Sequence, residues 1–133
     1  MTATNLELAE RAYEAMLSDD FEEFVALCAP QAEVEYPGEG VLPYGGRFLG
    51  HEGMRRWGDL HDEHEEILDF QIQQQLPSGD FVLTIGRFEG RARDTGRDWE
   101  TRFAHAMTFQ AGLLTRFEAF FDTAAAAEAH REA

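Results

Sequence analysis

The sequence predicts an α+β fold in which three N-terminal helices pack on a strongly curved antiparallel sheet and enclose an apolar pocket. Three observations carry that expectation. Apolar residues recur at helical spacing in the first half and alternate with polar ones in the second, so helices precede a strand meander and do not alternate with strands. Turn-forming pairs cut the second half into strand-length pieces. The chain has 133 residues, the size of one domain, so residues 1–133 are read as a single unit with one core.

The elements follow in order. Thr4 with Glu7 three positions on makes a capping box, and Leu6, Ala9, Tyr13, Met16 and Leu17 continue at helical spacing. Ser18-Asp19-Asp20 breaks this helix, and either Asp is a cap for a short second helix carrying Phe21, Phe24, Val25, Leu27 and Cys28, stopped by Pro30. Ala32 to Tyr36 alternates and reads as a short strand ended by Pro37-Gly38. The glycine-rich stretch from Pro37 to Gly50 reads as an ordered loop. A third helix runs from about His51 to Glu66, with Met54, Trp57, Leu60 or His61, His64 and Ile67 or Leu68 as its stripe. Strands are then expected over Phe70–Leu76, Phe81–Arg91, Trp99–Gln110 and Leu113–Phe121, joined by turns at Pro77–Asp80, Asp94–Gly96 and Ala111-Gly112. Thr123 begins a C-terminal helix.

Composition narrows the function classes. Twenty-six acids against 11 bases give a net charge of −15, which disfavours nucleic acid and anionic membrane as partners. No apolar run approaches the roughly 18 residues of a spanning helix, and the N-terminus has no basic region leading into an apolar stretch. The single Cys28 has no partner for an internal disulfide and reads as a small core residue, which fits a reducing, cytoplasmic setting. No glycine-rich phosphate loop opens a helix, so no nucleotide cofactor is expected.

Period-two alternation gives the first candidate for chemistry. In the strand from Trp99 to Gln110 the odd positions are the more apolar set, which turns His105 inward among aromatics. An imidazole there serves as a general base or hydrogen-bond donor; the plainer role is a core histidine tied to a carbonyl or a water. On the last strand, Leu113, Thr115, Phe117, Ala119 and Phe121 form the apolar set. Strict parity therefore turns Asp122 outward unless a bulge near the strand end re-aims it, and capping of the C-terminal helix is its other role. Tyr36, Tyr13 and Tyr44 supply phenols suited to a substrate carbonyl, and Trp57, Phe103 and Phe121 read as pocket wall. His61 and His64 lie three apart on a helix with acids between them; no second cluster supplies further ligands, so no metal is assigned. His130 reads as a tail residue, and Arg87, Arg91, Arg93 and Arg97 as a mixed-charge rim.

Three stretches carry a resemblance to a known family. The first is Asp20 to Pro37, a small helix, a Val-Glu strand and a proline. The second is Leu42-Pro-Tyr-Gly-Gly-Arg-Phe-Leu-Gly-His-Glu-Gly53. The third is Thr95-Gly-Arg97 followed by Phe103-Ala-His105, Ala111-Gly112 and Phe121-Asp122. Their order and spacing resemble the SnoaL-like and ketosteroid-isomerase-like family of the nuclear transport factor 2 superfamily. The resemblance implies a cone-shaped, cystatin-like roll around one pocket. Tyr36 stands where the isomerases carry a basic Asp, His105 where they carry a protonated Asp, and Tyr13 is one residue from their first-helix Tyr. The SnoaL-type cyclases use a late acid with a nearby His, roles that fall here on Asp122 and His105.

The expectation is therefore an isomerase- or cyclase-type enzyme without metal or organic cofactor, which shifts a proton on a hydrophobic, carbonyl-bearing small molecule. Catalysis falls to His105, Asp122 and Tyr36, and substrate contacts to Tyr13, Tyr44, Trp57, His61, Phe103 and Phe121. The alternative is a non-catalytic domain that binds a hydrophobic small molecule. Epoxide hydrolysis ranks low, since Arg102 and Asp122 are its only late candidates. A homodimer is expected through the outer sheet face, where Ala104, Ala106 and Thr108 permit a flat contact.

Overall fold

The computed structural model describes residues 3–131, so residues 1, 2, 132 and 133 of the expected single domain lie outside the description. Helices α1 (Asn5–Leu17) and α2 (Glu22–Leu27) lead into strands β1 (Cys28–Tyr36) and β2 (Gly46–Leu49). Helix α3 (Gly50–His64) follows, then β3 (Glu65–Ser78), β4 (Phe81–Ala92), β5 (Asp98–Gln110), β6 (Leu113–Phe121) and α4 (Thr123–His130). The α+β reading holds, with α4 added to the three N-terminal helices. The sheet is a single open layer in the order β2-β1-β6-β5-β4-β3.

Local chemistry explains the starts. Thr4 and Glu7 complete the capping box of α1, and the Asp20 carboxylate accepts the Glu22 amide at 3.1 Å at the start of α2. Two differences from the sequence reading concern β1. It starts at Cys28, four residues early, and carries Pro30 at an irregularity between Cys28 and Glu33 where no ladder bond is asked of it. It also pairs in parallel with β6, while every other pair in the sheet is antiparallel. The loop expected over Pro37–Gly50 contains the edge strand β2, and α3 ends at His64 because the chain turns into β3 at Glu65.

Curvature comes from the β3–β4 hairpin. Its register slips between Ile67 and Asp69 and again between Ile72 and Gln74, and the residues opposite the slips are Gly90, paired with Ile67, and Gly86, paired with Ile72. Extra residues on one strand bend a ladder, and glycine on the other removes the Cβ that would resist the bend. A Cβ at Gly86 would sit 2.0 Å from the Gln71 carbonyl oxygen, so close approach of backbone requires glycine there.

The core fills the concave side. Leu8, Ala12, Tyr13, Phe24, Val34, Met54, Trp57, Met107, Phe109 and Phe117 belong to one buried cluster, and Leu42, Tyr44, Ala92, Trp99, Ala126 and Ala129 form a second beneath α4. Along β5 the odd residues from Trp99 to Phe109 are all buried, as alternation predicts. On β6 the buried residues are Leu114, Phe117 and Ala119. A slip beside Thr108 and Phe109 shifts parity near the start of the strand, so Leu114, not Leu113, faces in. No helix among the described residues is long and apolar enough to cross a membrane.

Candidate functional site

A cavity of about 560 Å³ opens between α1, α3 and the concave face of the sheet. Its walls combine aromatic residues, Trp57, Phe70, Phe103, Phe117 and Phe121 among them, with charged ones that include Asp19, Asp59, Asp62, Glu66 and Arg93. His105 lies among these rings, 4.3 Å from Phe103 and 4.8 Å from Phe117 between centroids. Its Nδ1 is 2.8 Å from the Tyr13 hydroxyl, a bond between two buried side chains. Tyr13 comes from α1 and His105 from β5, so the pair bridges the helical layer and the sheet.

Burial sets the protonation of this pair. Desolvation, reinforced by the nearby His61, lowers His105 to about 3, so the ring is neutral at physiological pH. Burial also raises the Tyr13 phenol, against a partly offsetting hydrogen bond with Thr84. His61 falls to about 4 through desolvation and the charge of His130. The Tyr36 phenol is raised by burial and by the Glu65 carboxylate. Two neutral imidazoles and protonated phenols therefore stand among the aromatic rings of the cavity.

Tyr36, Tyr44, Trp57, His61, Phe103 and Phe121 all line this cavity with Tyr13 and His105, so eight of the nine residues singled out from sequence converge on one place. The ninth, Asp122, takes the other of its two roles. Its carboxylate accepts the Ala125 amide at 3.0 Å as the N-cap of α4, and it is absent from the cavity lining. The bulge of β6 lies at the opposite end of the strand, where it leaves the Asp122 parity unchanged. His61 and His64 also part company. His61 lines the cavity, whereas His64 Nδ1 bonds the Asp94 carboxylate at 2.9 Å. Among the described residues no group of three or more His, Cys, Asp or Glu side chains is arranged to hold a metal.

Sequence reasoning missed Glu65. This fully buried carboxylate accepts the Tyr44 hydroxyl at 2.7 Å and the Trp99 indole N–H at 3.0 Å, and it faces His130 Nε2 at 3.1 Å. His130 Nδ1 in turn meets Asp94 at 3.1 Å. His130 is therefore not a tail residue; its side chain is 4% exposed and ties α4 to the α3–β3 junction. Nothing in the run His61-Asp-Glu-His-Glu-Glu66 marks one acid as the buried one, and only the position of the α3–β3 break selects it. The arginines behave as a rim. Arg87 pairs with Glu100 and Arg91 with Asp98, Arg93 lies 3.8 Å from Glu66, and Arg97 donates to carbonyls at the end of α4. Burial pushes the Cys28 thiol up to about 12, which leaves it inert at neutral pH.

An open curved sheet with helices across its concave face and an aromatic cavity between them defines a cone-type pocket protein. The SnoaL-like domain model matches residues 9–117, and the chain belongs to the SnoaL-like family. Solved structures agree over nearly the whole length. A nuclear transport factor 2-like protein from Burkholderia thailandensis E264 is 28% identical with a TM-score of 0.87, covering 98% of this chain and 100% of its own. One from Burkholderia xenovorans LB400 is 26% identical, also at 0.87, covering 96% and 95%. TerC, crystallised with polyporic acid, is 25% identical at 0.85, covering 96% and 98%. No curated protein matches the chain.

Proposed function

We propose that the protein is a cofactor-independent enzyme of the isomerase or cyclase type, which moves a proton on a hydrophobic, carbonyl-bearing small molecule. The observation that carries this reading is the Tyr13–His105 hydrogen bond of 2.8 Å inside an aromatic cavity. In the tautomer whose Nδ1–H donates to the phenol oxygen, the Tyr13 O–H is left for a substrate carbonyl. The Nε2 lone pair is left for the proton on the adjacent carbon. As that proton passes to Nε2, charge develops on the carbonyl oxygen and the phenol stabilises it. The enolate so formed also offsets the desolvation of the imidazolium, which is what keeps the ring neutral beforehand. The phenol that the sequence places at Tyr36 is thus supplied by Tyr13. TerC, a relative of similar shape, was crystallised with polyporic acid, and this supports a small-molecule occupant for the same cavity.

The test is deuterium incorporation from heavy water next to the carbonyl across a panel of hydrophobic ketones, followed by NMR. The wild type is expected to accelerate exchange for at least one compound, and His105→Gln to slow it by about 10²–10⁴-fold. Exchange that persists in His105→Gln overturns the assignment. The second reading, a non-catalytic binding domain, is favoured by the same low His105 value, since so weak a base abstracts protons poorly. Tight binding with no exchange by any bound ketone would support it. A homodimer through the outer sheet face and a cytoplasmic setting complete the proposal.

A further inference from the structure

His130 of α4 has a buried arrangement that the proposed proton transfer does not use. Its side chain is 4% exposed, and each ring nitrogen faces a carboxylate oxygen at 3.1 Å: Nε2 that of Glu65 and Nδ1 that of Asp94. An ionised carboxylate accepts and does not donate, so each nitrogen supplies the hydrogen of its own bond. Tyr44 also lies 3.2 Å from Nε2, but its hydroxyl is nearer Glu65, at 2.7 Å, and donates there. Glu65 further accepts the Trp99 indole N–H, which suits the ionised form. Asp94 is ionised as well: burial works against it, yet hydrogen bonds from His64 and His130 hold its carboxyl below the usual range. The two carboxylates come from different elements, β3 and the β4–β5 turn, so one ring on α4 ties both.

Apolar packing gives α4 little hold of its own. Its apolar side chains are all alanine, of which Ala126 and Ala129 are buried. The other contacts are polar and gather at the His130 end, where Thr95 donates to the Ala129 carbonyl and Arg97 to the carbonyls of Glu128 and Arg131. Beneath the helix lie Tyr44 and Trp99, which belong to the cavity wall and are both bonded to Glu65. We propose that α4 is a strap over this wall, latched by His130 as an imidazolium and released when the ring loses a proton. A neutral ring keeps one hydrogen, so one of the two carboxylates loses its donor and is left as a poorly compensated anion. The strap is closed at low pH and opens as pH rises. The surrounding groups keep that sign. His61 on α3 is held at about 4 by desolvation and by the His130 charge, so it is already neutral. Burial and the Glu65 carboxylate raise the Tyr44 phenol, which stays protonated. Arg97 and Arg131 remain cations and Glu128, paired with Arg131, an anion. His64, bonded to Asp94 from α3, is the one neighbour free to titrate alongside, and substitution separates it. The latch does not depend on the reaction assigned to the cavity.

Hydrogen–deuterium exchange of the full chain at pH 6.5 and pH 9, corrected for base catalysis and read by mass spectrometry, tests the latch. Exchange in residues 123–131 is expected to rise by about 10–100-fold at pH 9, the factor that one charge-assisted hydrogen bond gives, while β5 and β6 stay protected. His64→Gln should keep this rise. His130→Gln, which has no proton to lose, should leave the segment equally open at both pH values. Should that variant fail to fold, nitrogen-15 NMR of the wild type decides: the His130 ring, assigned through the α4 backbone, should carry hydrogen on both nitrogens at pH 6.5. A bare nitrogen there, or α4 exchange that is the same at the two pH values, overturns the latch. A rise shared equally by β5 and β6 overturns the strap, since it reports loosening of the whole fold. A rise that vanishes in His64→Gln, or persists in His130→Gln, overturns the assignment to His130.

Discussion

His61 and His105 carry a cost that only acid reveals. In the unfolded chain each imidazole titrates near 6.5, while in the fold burial holds them at about 4 and about 3. Between those values and 6.5 the unfolded state binds more protons, so stability is full above the unfolded value and falls as pH drops toward 4. The thermal midpoint, followed from pH 7 to pH 4, should therefore decline, and His61→Phe should make the decline shallower. A second single-residue effect sits at the β5–β6 turn. Ala111 has a φ of +52° and Gly112 of +79°, the pair of left-handed residues that a two-residue hairpin asks for. Alanine bears a steric penalty there that asparagine largely avoids, so Ala111→Asn should raise stability by about 1 kcal/mol in urea titration. The inward histidine was legible in the sequence because one uninterrupted alternating strand fixed its face. The role of Asp122 stayed open because a strand end and a helix cap ask for the same residue, and Glu65 was hidden among equivalent acids.

At the scale of elements, the hairpin of β3 and β4 shapes the molecule. Gly86 and Gly90 stand opposite its two register slips, and each lacks room for a methyl group: at Gly90 the Cβ would meet the Phe88 ring at 2.5 Å and Glu65 Oε2 at 2.7 Å. Gly86→Ala should destabilise by about 1–3 kcal/mol, the usual range for overpacking, and because Phe103 lies 2.6 Å from the added atom it should also disturb the cavity wall. Differential scanning calorimetry reads the first effect and ketone exchange the second. Asp122→Ala should cost about 1 kcal/mol through the lost α4 cap and leave ketone exchange unchanged. Strands β5 and β6 were placed within a residue from turn signals and alternation. The bulges were not, although glycines inside a strand pattern are their signal, because slipped ladders blur the period on which the reading depends. Strand β2 escaped for another reason: four residues in a glycine-rich stretch give no period to detect.

For the whole molecule, charge and surface set the terms of association. A net charge of −15 opposes self-contact, yet the outer face of the sheet offers partly exposed Ala104, Ala106 and Thr108 beside an exposed Phe120. Light scattering at micromolar concentration and moderate salt should give the mass of two chains, and a monomeric mass would remove the dimer from the proposal. The parallel contact between β1 and β6 has a consequence of a different kind, in time. Val34 lies opposite Phe117, so β1 has no neighbour on that side until β6, roughly eighty residues further along, has been made. Closing so long a loop is entropically costly and slow. The β4–β5–β6 meander pairs locally, so docking of the N-terminal segment, and with it the far wall of the cavity, is expected to follow it in refolding.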